Sequence, residues 1–244
     1  MAILKMAKPN QAASIILLTM ALCLGGELLS SVSAWAGVPF NPPKGGAPKG
    51  RGGASRGDMT CSANPAQFIQ RFMPLTPANS NYGLTVAQRP TLFAYVPPTS
   101  AQKVFFSLKE ENGRVHYQAM LPIGNNGGIL RIELPESVPP LMLGKRYQWG
   151  VAVACDGRLR PDSPFVSSWI QRVEPASKLV EQASQKPSIE QATMYGTNGI
   201  WYDTLATLAN LRRQQPDNPT LRSTWSDLLS SVGLKEIAAE PLND

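Results

Sequence analysis

"KVFFSLKEENGRVHYQAML", Lys103 to Leu121, is the stretch on which the fold turns. Apolar and polar residues alternate on both sides of Asn112-Gly113. An Asn-Gly pair suits a two-residue type I′ turn, because both of its central positions need positive φ. Folded there, Leu108 lies opposite Tyr117, Phe106 opposite Ala119 and Val104 opposite Leu121. The same register sets Lys109 against His116 and Glu111 against Arg114 on the other, outward face. One face is apolar and the other mainly polar, so pattern and turn support each other. The stretch predicts an antiparallel hairpin.

"LMLGKRYQWGVAVAC", 141–155, extends the same logic. Tyr147, Trp149, Val151, Val153 and Cys155 alternate onto one face, with Arg146, Gln148, Ala152 and Ala154 on the other. Leu141, Gly144 and Tyr147 have the spacing of a tyrosine corner, in which the phenol bonds back to backbone before its strand begins. Further strands are expected at 91–96, 129–134 and 165–173. About six or seven short antiparallel strands over 61–175 resemble the β-sandwich of immunoglobulin and fibronectin type III domains. The antibody Cys-Trp-Cys arrangement is absent, so the likeness is one of architecture.

After Pro175 the period becomes that of helices. Pro187 can open one helix ending near Thr197, Gly199 breaks it, and 200–215 form a second. Asn218-Pro219 is an N-cap followed by proline at the first helical position, opening a third. Gly233 followed by Leu234 predicts a Schellman stop. The expected fold class is therefore α+β, a β-sandwich over 61–175 followed by a small helical module over 176–244.

The start of the chain reads as an address. Lys5 and Lys8 precede the apolar run Ile15 to Leu24, and Ala34-Trp35-Ala36 gives the pattern a signal peptidase cuts, leaving Gly37 as the new terminus. The run is too short to span a bilayer, which takes ~20 residues, so no stable membrane insertion is expected after cleavage. Cys23 follows Leu22, where a lipidation site wants a small residue. Losing residues 1–36 removes Lys5, Lys8 and Glu27, so the net charge goes from +6 to +5. Residues 37–60, "GVPFNPPKGGAPKGRGGASRGDMT", are basic, rich in Gly and Pro, and expected to form a flexible linker. "RGGASRG" resembles RNA-binding RGG segments, but an exported chain meets little nucleic acid. Loose attraction to anionic envelope polymers is the remaining role for this charge.

Cys61 and Cys155 survive the cut. In an oxidising compartment the pair is most simply a disulfide, with two buried free thiols as the alternative. Closing a loop of this length would stabilise the fold by up to ~4.6 kcal/mol on the chain-entropy model.

"GIWYDTLATLANLRRQQPDNP", 199–219, raises the question of a site. On a helix, Asp203, Thr207, Asn210 and Gln214 form one polar stripe, expected to face water. Trp201, Leu205 and Leu208 lie on one flank and Tyr202, Ala206 and Ala209 on the other, expected to be core. Ala192, Tyr195, Gly199, Leu208, Leu211 and Pro216 resemble a single tetratricopeptide repeat, with Thr204 departing from that motif's small residue. "PTLFAYVPP", "VPPLMLGKRYQWGVAVACD", "WIQRVEP", "GIWYDTLATLANLR" and "WSDLLSSVGL" together resemble a family of exported cyanobacterial proteins classed as a domain of unknown function. The resemblance spans roughly 89–242. It implies an exported, periplasmic protein and brings no substrate, cofactor or catalytic residue.

Acid–base and metal chemistry need convergent His, Asp, Glu or Cys. This chain has one histidine, His116, expected on the outward face. Asp156 and Asp162 bracket "GRLRP" as turn aspartates, expected to pair with Arg158 or Arg160 rather than to hold calcium. "GNNGG" at 124–128 lies between strands and starts no helix, so it is no phosphate loop. The expected function is non-enzymatic, with no cofactor and no metal: an envelope protein that binds other proteins. The alternatives are a glycan-binding module using exposed Trp149 and Trp169, and a hydrolase built on surface carboxylates.

Overall fold

The computed structural model describes residues 37–47, 61–176 and 186–243. The expected signal peptide, residues 48–60 of the expected linker, and residues 177–185 at the start of the expected helical module lie outside the described residues. The strands are β1 (Met73–Pro74), β2 (Tyr82–Thr85), β3 (Thr91–Val96), β4 (Lys103–Glu110), β5 (Val115–Pro122), β6 (Gly128–Glu133), β7 (Arg146–Ala154), β8 (Phe165–Arg172) and β9 (Leu242–Asn243). The helices are α1 (Pro65–Arg71), α2 (Ile189–Thr197), α3 (Trp201–Gln214) and α4 (Pro219–Ser231). One sheet has four strands in the order β1-β3-β6-β9, the other five in the order β2-β8-β7-β4-β5. The fold is α+β.

The hairpin pairs as its pattern requires, with Val104 opposite Leu121, Phe106 opposite Ala119 and Leu108 opposite Tyr117. Its turn differs from the type I′ expectation. Gly113 has φ 86° and Asn112 does not enter the left-handed region. The Gly113 amide donates to the Glu110 carbonyl at 2.8 Å, and the Glu110 amide donates to Arg114 O at 2.8 Å. This is a three-residue loop, a type I turn closed by a left-handed glycine. The register shifts between Leu108 and Lys109, so Lys109 lies opposite Val115 and not His116.

Tyr147 completes the corner: its hydroxyl accepts the Met142 amide at 3.1 Å, and Gly144 takes φ 72° within the turn. Two edge pairings depart from the all-antiparallel expectation, because β2 runs parallel to β8 and β9 parallel to β6. Neither short strand joins its partner through a tight turn, so no hairpin dictates its direction. Cys61 and Cys155 are bonded, their Cα atoms 5.5 Å apart. This ties the segment before α1 to the end of β7.

Asn218 caps α4 by accepting the Thr220 and Leu221 amides at 3.0 and 3.3 Å. The same helix ends in the expected Schellman pattern, Leu234 N to Leu229 O at 2.9 Å and Gly233 N to Ser230 O at 3.2 Å. Buried residues of both sheets, of α3 and α4 and Ala192 of α2 share one cluster that includes positions on both sides of 175, and Tyr195 and Ile200 form a second, small one.

Residues 37–47 are not a detached tether. Val38 is buried and the Phe40 ring meets Trp201 edge-on at 4.9 Å. The Asn41 amide donates to Gly196 O at 3.0 Å, and Asn41 Nδ2 donates to Thr197 O at 3.0 Å. Backbone passes so close that a Cβ on Gly196 would sit 2.2 Å from Pro39 O, and one on Gly199 would sit 2.8 Å from Asn41 O. The strap lies where α2 turns into α3, and only glycine admits it there.

Candidate functional site

Trp201 and Tyr202 are core, as their flanks predict. Trp201 is fully buried and its Nε1 donates to Leu75 O at 2.8 Å. The Tyr202 hydroxyl accepts Trp149 Nε1 at 2.7 Å and donates to Trp169 O at 3.1 Å. β2 approaches this pair so closely that a Cβ on Gly83 would meet the Tyr202 ring at 2.8 Å.

Asp203 corrects the expectation that it faces water. Its Oδ2 accepts the Val86 amide at 3.2 Å, just beyond the end of β2. Burial pushes its carboxyl up to about 6, against the Thr85 hydroxyl and the Val86 amide, which stabilise the anion. The rest of the stripe is also largely engaged. Thr207 is buried, with Oγ1 donating to Asp203 O at 2.7 Å, and Asn210 Oδ1 accepts Arg131 Nη1 at 2.8 Å. The polar face of α3 thus meets both sheets, taking the free Val86 amide just past β2 and the Arg131 side chain of β6.

His116 is likewise not on a free outward face. The bulge turns its ring edge-on to Tyr147 at 5.1 Å, and its Nε2 lies 2.9 Å from Pro139 O. Beside it Glu110 is buried, accepts from Arg114 and forms an ion pair with Lys145 Nζ at 2.8 Å. Arg114 and then Lys145 hold its carboxyl down at about 2. Asp156 pairs with Arg160 at 3.4 Å, as a turn aspartate would. Among the described residues no cluster of His, Cys, Asp and Glu could hold a metal ion, and no helix is long and apolar enough to cross a membrane. "GNNGG" borders a small cleft of about 160 Å³, where the Asn243 amide donates to Gly127 O at 2.7 Å. Its lining is apolar side chains, glycine and Asn243, with no proton donor or acceptor suited to catalysis.

The five-stranded sheet also has an open edge. β5 ends the five-stranded sheet, and Val115 and Met120 on it are exposed. The loop that His116 touches carries Met142 and Leu143, 61% and 50% exposed, on the turn that the Tyr147 hydroxyl fixes. The other sheet edges are shorter: β2 has four residues with α3 against it, and β1 and β9 have two each. An eight-residue edge offers a row of unpaired backbone donors and acceptors, which is what an extended peptide binds. Composition hid this edge, since four exposed apolar residues are scattered over 29 positions of sequence.

The family described as Domain of Unknown Function (DUF928) matches residues 51–242, across both sheets and all the helices. The chain belongs to that family. Within the DUF928 span lie the hairpin, the tyrosine corner, the disulfide and the Trp149–Tyr202 bond. Residues 37–47, the strap, precede it. No curated protein matches this DUF928 chain.

Proposed function

We propose that this protein is an exported, non-enzymatic envelope component that binds an extended segment of another protein along β5. The observation that carries the reading is the open eight-residue edge with Val115, Met120, Met142 and Leu143 exposed around it. Main-chain bonds to β5 would supply affinity, and the flanking apolar side chains would select alternate residues of the partner. Export is supported by the basic start, short apolar run and Ala34-Trp35-Ala36, and a Cys61–Cys155 bond suits an oxidising compartment. The two sheets with their tyrosine corner favour an immunoglobulin- or fibronectin-like sandwich. The α2–α3 pair, with the spacing Ala192 to Pro216, favours a tetratricopeptide-like packing in which Thr204 returns its hydroxyl to Ile200 O at 2.8 Å. The glycan alternative relied on exposed Trp149 and Trp169. Both are buried, and the pairing of Trp149 with Ser168 sends the two side chains to opposite faces. The hydrolase alternative relied on surface carboxylates, and of the turn pair Asp156 is already engaged with Arg160 at 3.4 Å.

The test pairs Met120→Lys and Met142→Lys in one chain. Mature wild-type protein is expected to capture from an envelope extract a partner that slows amide exchange along β5. The double variant is expected to lose that partner while melting at an unchanged temperature. Undiminished capture by the variant refutes the edge as the binding site.

A further inference from the structure

Cleavage after Ala36 would do more than release a leader. Gly37 is the first residue of the strap, and a Cβ built on it would lie 3.6 Å from Asp227 Cβ and 3.8 Å from Asp227 Oδ2. The Gly37 nitrogen is two covalent bonds from that point, hence within roughly 6 Å of the carboxylate. Asp227 is an exposed residue of α4 and has no ion-pair partner among the described residues. In the uncut chain the Gly37 nitrogen is a neutral amide. Hydrolysis of the Ala36–Gly37 bond by a signal peptidase consumes one water, leaves a carboxylate on Ala36 and turns that nitrogen into an ammonium. We infer that the new Gly37 terminus pairs with Asp227 and fastens the strap to α4, so that processing itself completes the fold.

The strap is built to be held at both ends. Val38 is buried directly after the terminus, and the Asn41 amide and side chain bond the end of α2 a few residues later. Between them Pro39 crosses Gly196 without room for a Cβ. An ion pair at Gly37 adds a third fastening at the end that would otherwise fray. It is a surface pair, so its effect is modest and local, read best at the strap's own amides.

This inference rests on the export reading, and the experiment separates the two. The full chain is expressed, the exported form recovered, and its mass used to identify the first residue. Amide exchange at Asn41 is then compared in four proteins: the exported form, the same with its terminus acetylated, Asp227→Asn, and Asp227→Asn acetylated. Acetylation removes the terminal charge. Either change alone is expected to speed Asn41 exchange by about 1.4- to 5-fold, the span of surface ion pairs, and both together no more than one. A chain recovered uncut overturns the export reading; coupling is then measured on a chain opened at Gly37 by an inserted protease site. An exported chain beginning elsewhere overturns the ion pair and leaves export standing. Gly37 at the terminus with equal or additive exchange rates does the same.

Discussion

Asparagine at position 203 keeps an oxygen for the Val86 amide and removes the ionisable carboxyl. Asp203 has an ordinary value of 3.8, and burial beside β2 pushes it up to about 6. The folded protein therefore holds this proton more tightly than the unfolded chain. Between about pH 4 and 6 the unfolded state binds fewer protons, so stability falls as pH rises through that window and is flat above it. A shift of about two units corresponds to about 3 kcal/mol. For a domain of about 200 residues that is roughly 6–12 °C in melting temperature. Melting curves of wild type and Asp203→Asn should converge near pH 4, with the variant rising above wild type by up to that amount near pH 7.5. Glu110, held down at about 2, begins to give up its contribution as pH falls through its ordinary value of 4.5, so it overlaps the acid end of this window in both proteins alike. Subtracting the two curves isolates Asp203 in any case. A difference that stays constant from about pH 4 to 8 would refute the argument that its carboxyl is buried against β2.

Trp201→Ala should cost ~3–5 kcal/mol in chemical denaturation, the range for a large buried aromatic, and a variant as stable as wild type would remove α3 from the core. Tyr202→Phe strands the Trp149 indole N–H at a buried position, so a loss of ~1–3 kcal/mol is expected, again by denaturant titration. Non-reduced protein from an oxidising compartment should offer no thiol at Cys61 or Cys155 to an alkylating reagent, and reduction should lower the melting temperature, the chain-entropy ceiling being ~4.6 kcal/mol. Two alkylated thiols in the untreated protein would exclude the bond.

The parts legible in the sequence were those whose partners lie near in the chain. Val104 to Leu121 could be paired because one short loop joins them, and the Asn218 cap because its bonds reach only Thr220 and Leu221. The loop itself was misread by one residue, since Asn-Gly serves both a type I′ turn and the second half of a type I turn with a glycine bulge. That one residue moved His116 from an outward position to the edge of Tyr147. Asn64-Pro65 carries the same cap signature as Asn218-Pro219, and Asn64 Oδ1 does accept the Gln67 amide at 3.2 Å. With seven residues, α1 was too short for its periodicity to speak. Asp203, β2 and β9 were out of reach for a different reason. Their partners lie far along the chain, 117 residues away for the Val86–Asp203 bond, and no local pattern encodes that distance. The strap was missed because Gly- and Pro-rich composition argues against burial, whereas here glycine on the receiving helices makes room for it.

The bonds that α3 sends into the sheets have a kinetic side. Leu75 O waits for Trp201, 126 residues later, and Trp149 Nε1 waits for Tyr202, 53 residues later. A chain emerging N-terminus first can form the β4–β5 hairpin early, but it cannot satisfy those buried groups until α3 is out. Such long-range closure slows folding, since loop entropy is lost before the contacts that offset it form. Until then Trp149 and the partly built core stand open, and the interval in which the chain is most prone to aggregate lasts until its last quarter has emerged where it folds.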